Sequence, residues 1–264
     1  MVRALGDRRC RLDPYGRAQG EEQTPAPDGY GWSVWPLPDG SRLTTGPALV
    51  RTGSDGSTTE LGRLREIATH GWNEITVGST GDVYVNGFEF DLAGGGAPKP
   101  GIVALVRPDG STVEVADGLQ FPNGMVITPD GSTLVVSESF AGRLTAFDIR
   151  PDGTLSGRRA WAEGVGPDGI AADAAGGIWC GAADIRMMTG RAEDAAGAFV
   201  RVLDGGQVTD RIELDRPGFS CTLGGPDGTT LFMLTADWRG FDVIDAMAAD
   251  RTGIVYAAEV SAAS

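Results

Sequence analysis

Four short segments of the chain begin alike: Trp72-Asn73-Glu74-Ile75, Pro122-Asn123-Gly124-Met125, Pro167-Asp168-Gly169-Ile170 and Ser220-Cys221-Thr222-Leu223. Their second residues, Asn73, Asn123, Asp168 and Cys221, follow one another at steps of 50, 45 and 53 residues. If successive repeats turn about a common axis, equal positions meet near that axis. Two amide oxygens and a carboxylate would then form an all-oxygen cluster, the donor set that hard divalent cations such as Ca²⁺ or Mg²⁺ favour. Zinc prefers imidazole or thiolate, and the chain has a single histidine, His70. Asn and Asp also begin strands as turn caps. That role would explain any one of the three, and three in register less readily.

The elements that must hold these residues can be read from a repeat. Pro-Asp-Gly occurs seven times, at Asp28, Asp39, Asp109, Asp130, Asp152, Asp168 and Asp227. Several copies lie between apolar runs, where Asp and Gly supply the backbone angles of a hairpin turn. The clearest unit, FPNGMVITPDGSTLVVSESFAGRLTAFDIRPDGTL from Phe121 to Leu155, reads as four short strands with tight turns, which is one propeller blade. Five such units span residues 29–258, and Leu12–Arg17 resembles the outer turn of a further, partial one. The expectation is an all-β, six-bladed β-propeller whose first blade is only partly visible. It comprises an atypical segment 1–11, one domain over 12–258 and a tail 259–264. The only helix candidates are the weak Glu60–Ala68 and Asp245–Arg251.

Composition narrows the partners. A formal charge of −14, from 36 acidic and 22 basic residues, provides no basic footprint for nucleic acid or for an anionic membrane surface. It keeps the surface solvated and can draw cations toward a cleft. Three widely spaced cysteines, Cys10, Cys180 and Cys221, form no CxxC pair, so neither a disulfide framework nor a structural zinc site is expected. The first residues, MVRALGDRR, lack an apolar core, and no run reaches the ~18 apolar residues of a spanning helix. A cytoplasmic location is expected. Gly164–Gly169 matches GxGxxG, but no apolar strand leads into it and no helix pattern follows, so it is not a dinucleotide loop.

The segments WNEITVGSTGDVYVN, FPNGMVITPDGSTLVVSES, RLTAFDI, PDGIAADAAGGIWCGAAD and CTLGGPDGTTLFMLTADW together resemble the SMP-30/gluconolactonase/LRE family. The pairing of an Asn-Gly strand start with a PDGIxxDxxGxxW segment carries most of the likeness. The resemblance implies a six-bladed propeller that opens a small lactone of the gluconolactone type. It also implies one bound divalent ion, with Ca²⁺ expected and Zn²⁺, Mn²⁺ or Mg²⁺ as alternatives. It further implies that Asn123 and Asp168 ligate the metal, that Asp168 is the general base, and that Asn73 touches substrate or a metal-bound water. The family usually has Asp after this Asn; here the residue is Glu74.

Glu74 and Phe121 join Asn73 as substrate-side candidates, with Phe88 beside them. The family's remaining metal ligand, a Glu in a GExPxW-like segment, has no match in MVRALGDRRCR before Leu12. Glu21, Glu22 and Asp28 are its possible substitutes. The competing expectation is therefore a propeller that binds a ligand or metal without catalysis. Oligomeric state is not legible. His70, Cys180, Trp72, Trp179 and Trp238 are expected to be loop or packing residues.

Overall fold

A computed structural model describes residues 3–4, 33–68, 70–91, 96–182, 197–237 and 253–260. They form twenty strands. These are β1 (Arg3–Ala4), β2 (Val34–Pro36), β3 (Arg42–Thr44), β4 (Leu49–Thr52), β5 (Thr58–Leu61), β6 (Trp72–Val77), β7 (Val83–Gly87), β8 (Gly101–Val106), β9 (Thr112–Leu119) and β10 (Pro122–Ile127). The others are β11 (Thr133–Glu138), β12 (Arg143–Ile149), β13 (Leu155–Glu163), β14 (Ile170–Ala172), β15 (Ile178–Gly181), β16 (Gly197–Val202), β17 (Val208–Leu214), β18 (Gly218–Gly224), β19 (Thr230–Thr235) and β20 (Ile254–Glu259). The Glu60–Ala68 segment forms the end of β5 and a 3-10 turn at Leu64–Glu66 rather than a helix. Asp245–Arg251 lies outside the described residues. No described helix is long and apolar enough to cross a membrane.

The strands assort into five four-stranded antiparallel sheets: β2–β5, β6–β9, β10–β13, β14–β17 and β18–β20 with β1. Each sheet is a propeller blade, so the protein is an all-β propeller with five blades among the described residues, not the six expected. The difference lies in the last unit. Its sequence supplies only three strands, and the fourth comes from the other end of the chain: Arg3 pairs with Glu259 and Ala4 with Ala258. Residues near the N-terminus thus complete the fifth sheet. Leu12–Arg17, read as part of a sixth blade, lies outside the described residues.

The described residues divide into two compact units. One is drawn from Pro25–Ala141 and Thr145–Arg159, the other from Gly142–Leu144 and Ala160–Ser264 with the N-terminal strand. In the first unit the cores lie between sheets and follow the two-residue period of a strand. Along β7 and β8, Val83, Val85, Ile102, Ala104 and Val106 face one way, against Leu43, Leu49 and Trp72. Tyr84, Val103 and Leu105 face the other way, against Met125, Leu134 and Val136. A middle blade is thus covered on both faces. This explains why every residue of β7 and β8 is buried and why VYVNG and GIVALV read as continuous apolar runs rather than alternating ones. In the second unit, Trp179, Phe199, Leu231 and Met233 form the corresponding core.

Turn chemistry fixes the hairpins. In the Pro-Asp-Gly turn at Asp39, the N–H of Ser41 donates to Asp39 Oδ1 at 3.0 Å while Gly40 takes a φ of +81°. The same contact recurs at Asp109, Asp130 and Asp152. The hydroxyl and N–H of Ser41 hold the Asp39 carboxyl below its ordinary range. A second glycine role concerns close approach. A Cβ on Gly101, the first residue of β8, would fall on the Gly87 carbonyl oxygen and within 2.7 Å of Pro122 Cδ. Gly197, the first residue of β16, stands in the same relation to Arg216, with the backbone carbon 2.9 Å away.

Two outcomes follow for stability. Gly101→Ala overpacks a backbone crossing and is expected to cost about 1–3 kcal/mol in urea unfolding; an unchanged midpoint would show that the crossing is loose. In the second unit, Asp173 and Arg201 form a buried ion pair, at 8% and 6% exposure. Asp173 also accepts the N–H groups of Ala175 and Gly177, both at 3.0 Å. Asp173→Asn leaves the guanidinium buried without its counter-charge and is expected to cost about 3–5 kcal/mol, read by the same unfolding measurement.

Candidate functional site

The site in the first unit begins with a local irregularity shared by two strands. In β6, Trp72 pairs with Gly87 and the next regular pair is Ile75 with Val85, so Asn73 and Glu74 together face the single residue Asn86. In β10, Pro122 pairs with Glu138 and the next pair is Met125 with Val136, so Asn123 and Gly124 together face Ser137. Two residues opposite one make a β-bulge, which breaks the alternation of faces and re-aims a side chain. Strands β6 and β10 lie side by side, and the bulges bring the two asparagines together.

Asn73 Nδ2 donates to Asn123 Oδ1 at 3.3 Å and to the Pro122 carbonyl at 3.4 Å. Asn123 Nδ2 donates to Ser139 Oγ at 3.3 Å. Asn86, fully buried, accepts the Glu74 N–H at 3.2 Å and donates to the Asn123 carbonyl. The Thr45 hydroxyl donates to the Asn73 carbonyl. With its amide N–H groups turned toward β10, Asn73 accepts no hydrogen bond at Oδ1 among the described residues.

Glu74 lies beside them. The Ser33 hydroxyl donates to its Oε2 at 3.0 Å, and no Lys, Arg or His among the described residues pairs with it. Burial is the largest influence on its carboxyl and pushes the pKa above the ordinary range; the Ser33 hydroxyl and the Ile75 N–H pull it back in part. A half-buried carboxylate without a counter-charge, one residue along the bulge from Asn73, marks a candidate functional site.

The donor chemistry suits a hard divalent cation: an unengaged amide oxygen on Asn73, Oδ1 of Asn123 and the Glu74 carboxylate. Among the described residues no group of three or more His, Cys, Asp or Glu side chains converges, so amide oxygens would be part of any such ligand set.

Phe121, two residues before Asn123, is the only described non-glycine residue with positive φ, at +57°. A backbone in that region costs about 1–3 kcal/mol. Its ring stacks on Phe140 at 4.4 Å between centroids and meets Phe88 at 5.7 Å and Phe90 at 5.9 Å. At about 0.5–1.5 kcal/mol per aromatic pair, these contacts are large enough to offset the strain. The sequence had singled out Phe88 and Phe121; Phe90 and Phe140 complete the cluster.

Asp168 belongs to the second unit. It is half-buried and stands just before β14 rather than in a hairpin turn. The N–H of the following Gly169 donates to the Phe219 carbonyl at 2.7 Å, and a Cβ on Gly169 would come within 2.9 Å of Ser220 Cα. Asp168 is therefore a Pro-Asp-Gly aspartate in a different setting from the turn residues Asp39, Asp109, Asp130 and Asp152.

Cys221 departs from its expected position. The irregularity of β18 falls between Gly218 and Ser220, and Cys221 pairs regularly with Met233. Its side chain is buried in the core, with Sγ 3.4 Å from the Trp179 carbonyl oxygen. The shifted bulge removes Cys221 from the series begun by Asn73 and Asn123. Burial pushes its thiol well above the ordinary range and that of Cys180 up to about 12, so both are inert at neutral pH. His70 is exposed in a loop, and Trp72 and Trp179 are core residues. Cys10, Glu21, Glu22, Asp28 and Trp238 lie outside the described residues.

Sequence reasoning missed Ser33, Thr45, Asn86 and Ser139, which belong to no repeat start. Asn86 had a usable signal: in a hairpin, the end of the second strand must face the start of the first.

The model of the SMP-30/gluconolactonase/LRE-like region matches residues 2–237, and the chain belongs to that family. Among solved structures it is similar to a luciferin-regenerating enzyme, with 16% identity over 88% of this chain and 78% of the other and a TM-score of 0.70. It is similar to a gluconolactonase from Xanthomonas campestris, with 23% identity over 86% and 71% and a TM-score of 0.61. It is also similar to regucalcin from Agrobacterium tumefaciens, a calcium-binding protein, with 19% identity over 94% and 82% and a TM-score of 0.68. These likenesses establish the fold.

Asn86→Leu tests the local network. It deprives the Glu74 N–H of its acceptor and the Asn123 carbonyl of its donor. Each buried group left unpaired should cost about 1–3 kcal/mol, read by urea unfolding.

Proposed function

We propose that the protein hydrolyses a small lactone, of the gluconolactone type, with one divalent cation. The observation that carries this reading is the meeting of Asn73 and Asn123 on two bulged strands beside a carboxylate that has no counter-charge. Family membership supports the reaction class. Asn123, Asp168 and Asn73 are the proposed ligands, with Ca²⁺ first among Ca²⁺, Mn²⁺, Zn²⁺ and Mg²⁺. Glu74 supplies further negative charge. When bound, the cation polarises the lactone carbonyl.

The residues do the remaining work. Asp168 accepts the proton of the water that attacks the carbonyl, and returns a proton to the ring oxygen as the ester bond breaks. Asn73 orients the substrate, and Glu74 holds the polar side of the bound ring. Phe121, packed among Phe88, Phe90 and Phe140, forms an apolar wall that limits water beside the reacting bond.

Lactone opening is followed by proton release at constant pH, in the presence of added Ca²⁺, Mn²⁺ or Zn²⁺. Asp168→Ala is expected to lower kcat by about 10²–10⁴-fold, and Asn123→Ala to weaken Ca²⁺ binding in calorimetry. Unchanged turnover in Asp168→Ala would reject its role. Calcium binding without turnover of any lactone would leave a ligand-binding propeller as the reading to keep.

A further inference from the structure

The turn that delivers Asn123 carries the only strained non-glycine backbone among the described residues. Besides the rings around Phe121, a second group holds it. Glu138, the last residue of β11, is fully buried. Its Oε2 accepts the N–H of Gln120 at 2.7 Å, and its Oε1 accepts the Thr145 hydroxyl at 2.5 Å and Arg158 Nη2 at 3.3 Å. The residues that follow close on the same turn. The Ser139 N–H donates to the Phe121 carbonyl at 3.1 Å and the Phe140 N–H to the Gln120 carbonyl at 3.2 Å. Arg158 reaches back to the preceding blade, donating to the carbonyls of Asp117 at 2.9 Å and Gly118 at 3.3 Å. The end of β9 is thus held at residues 117 and 118 and its connection to β10 at residues 120 and 121, and Asn123 is the next side chain but one.

We propose that Glu138, through Arg158, is a positioning residue for Asn123. Resting on the lactonase reading, this assigns Glu138 no contact with substrate. A carboxylate buried only to hold strands together would be a poor choice, because apolar residues of the same volume do that at least as well. What a carboxylate adds is a fixed geometry for a backbone N–H, a hydroxyl and a guanidinium at once.

The test compares wild type with Glu138→Gln and Arg158→Met, the latter at a site whose side chain is 37% exposed and so the safer to fold. The side-chain amide signal of Asn123 is first identified by NMR as the pair lost in Asn123→Asp. Well below the melting temperature, both variants are expected to shift that signal. They should also lower kcat by about 10–100-fold, the usual cost of losing a supporting partner, with KM within threefold. A lowered melting temperature with an unmoved Asn123 signal and unchanged kcat would overturn the proposal and leave Glu138 as a packing group. If wild type opens no lactone, the functional reading fails, and the Asn123 signal alone then decides whether Glu138 positions it.

Discussion

The arrangement depends on a one-residue excess at the head of two inner strands. In a regular strand the faces alternate, and a residue either points into the core between blades or away from it. At Asn73-Glu74 and Asn123-Gly124 the chain places two residues against one. The alternation slips there and resumes at Ile75 and Met125, which return to the apolar cores. The excess therefore frees polar side chains from the packing rule without disturbing the strand that carries them. Its local cost is an interrupted ladder. Asn86 repairs that interruption by giving the Glu74 N–H and the Asn123 carbonyl side-chain partners in place of backbone ones.

Around this irregularity the blades are unusually constrained. The crossing at Gly101 leaves no space for a methyl group, and the two faces of β7 and β8 are both filled. A packed environment of this kind can hold a backbone in a sparsely populated region, as at Phe121. Rigid surroundings also suit amide ligands. A neutral amide oxygen binds a cation more weakly than a carboxylate, and compensates when it needs little reorganisation to do so.

Much of this was legible in the sequence for a definite reason. Pro-Asp-Gly with a following Ser or Thr encodes a turn by short-range hydrogen bonds, so four of the five blades announce at least one hairpin; the β14–β17 blade has no such turn. Strand limits such as Thr133 and Arg143 could be read to within a residue. The count of blades could not, because the pairing of Arg3–Ala4 with β20 is a contact between distant residues that no local pattern records. Asn73 and Asn123 were legible as equal positions in a repeat. Asn86, Ser139 and Glu138 were not, since they come from second strands and act through register rather than motif. Cys221 misled because an alignment of letters assumes the bulge keeps its place, and in β18 it does not.

The N-terminal strand of the fifth sheet has a consequence for assembly. Strand β20 would otherwise end that sheet with open N–H and C=O groups, and such an edge invites pairing with another chain. The strand that covers part of it precedes its partner in the chain, and so is synthesised well before it. During translation β1 therefore waits unpaired while the intervening hairpins, which need only local contacts, take shape. Completing the ladder joins segments more than 250 positions apart, and such long-range closure is slow compared with hairpin formation. Until that ladder closes, the edge of β20 that β1 covers stays open to pairing with another chain.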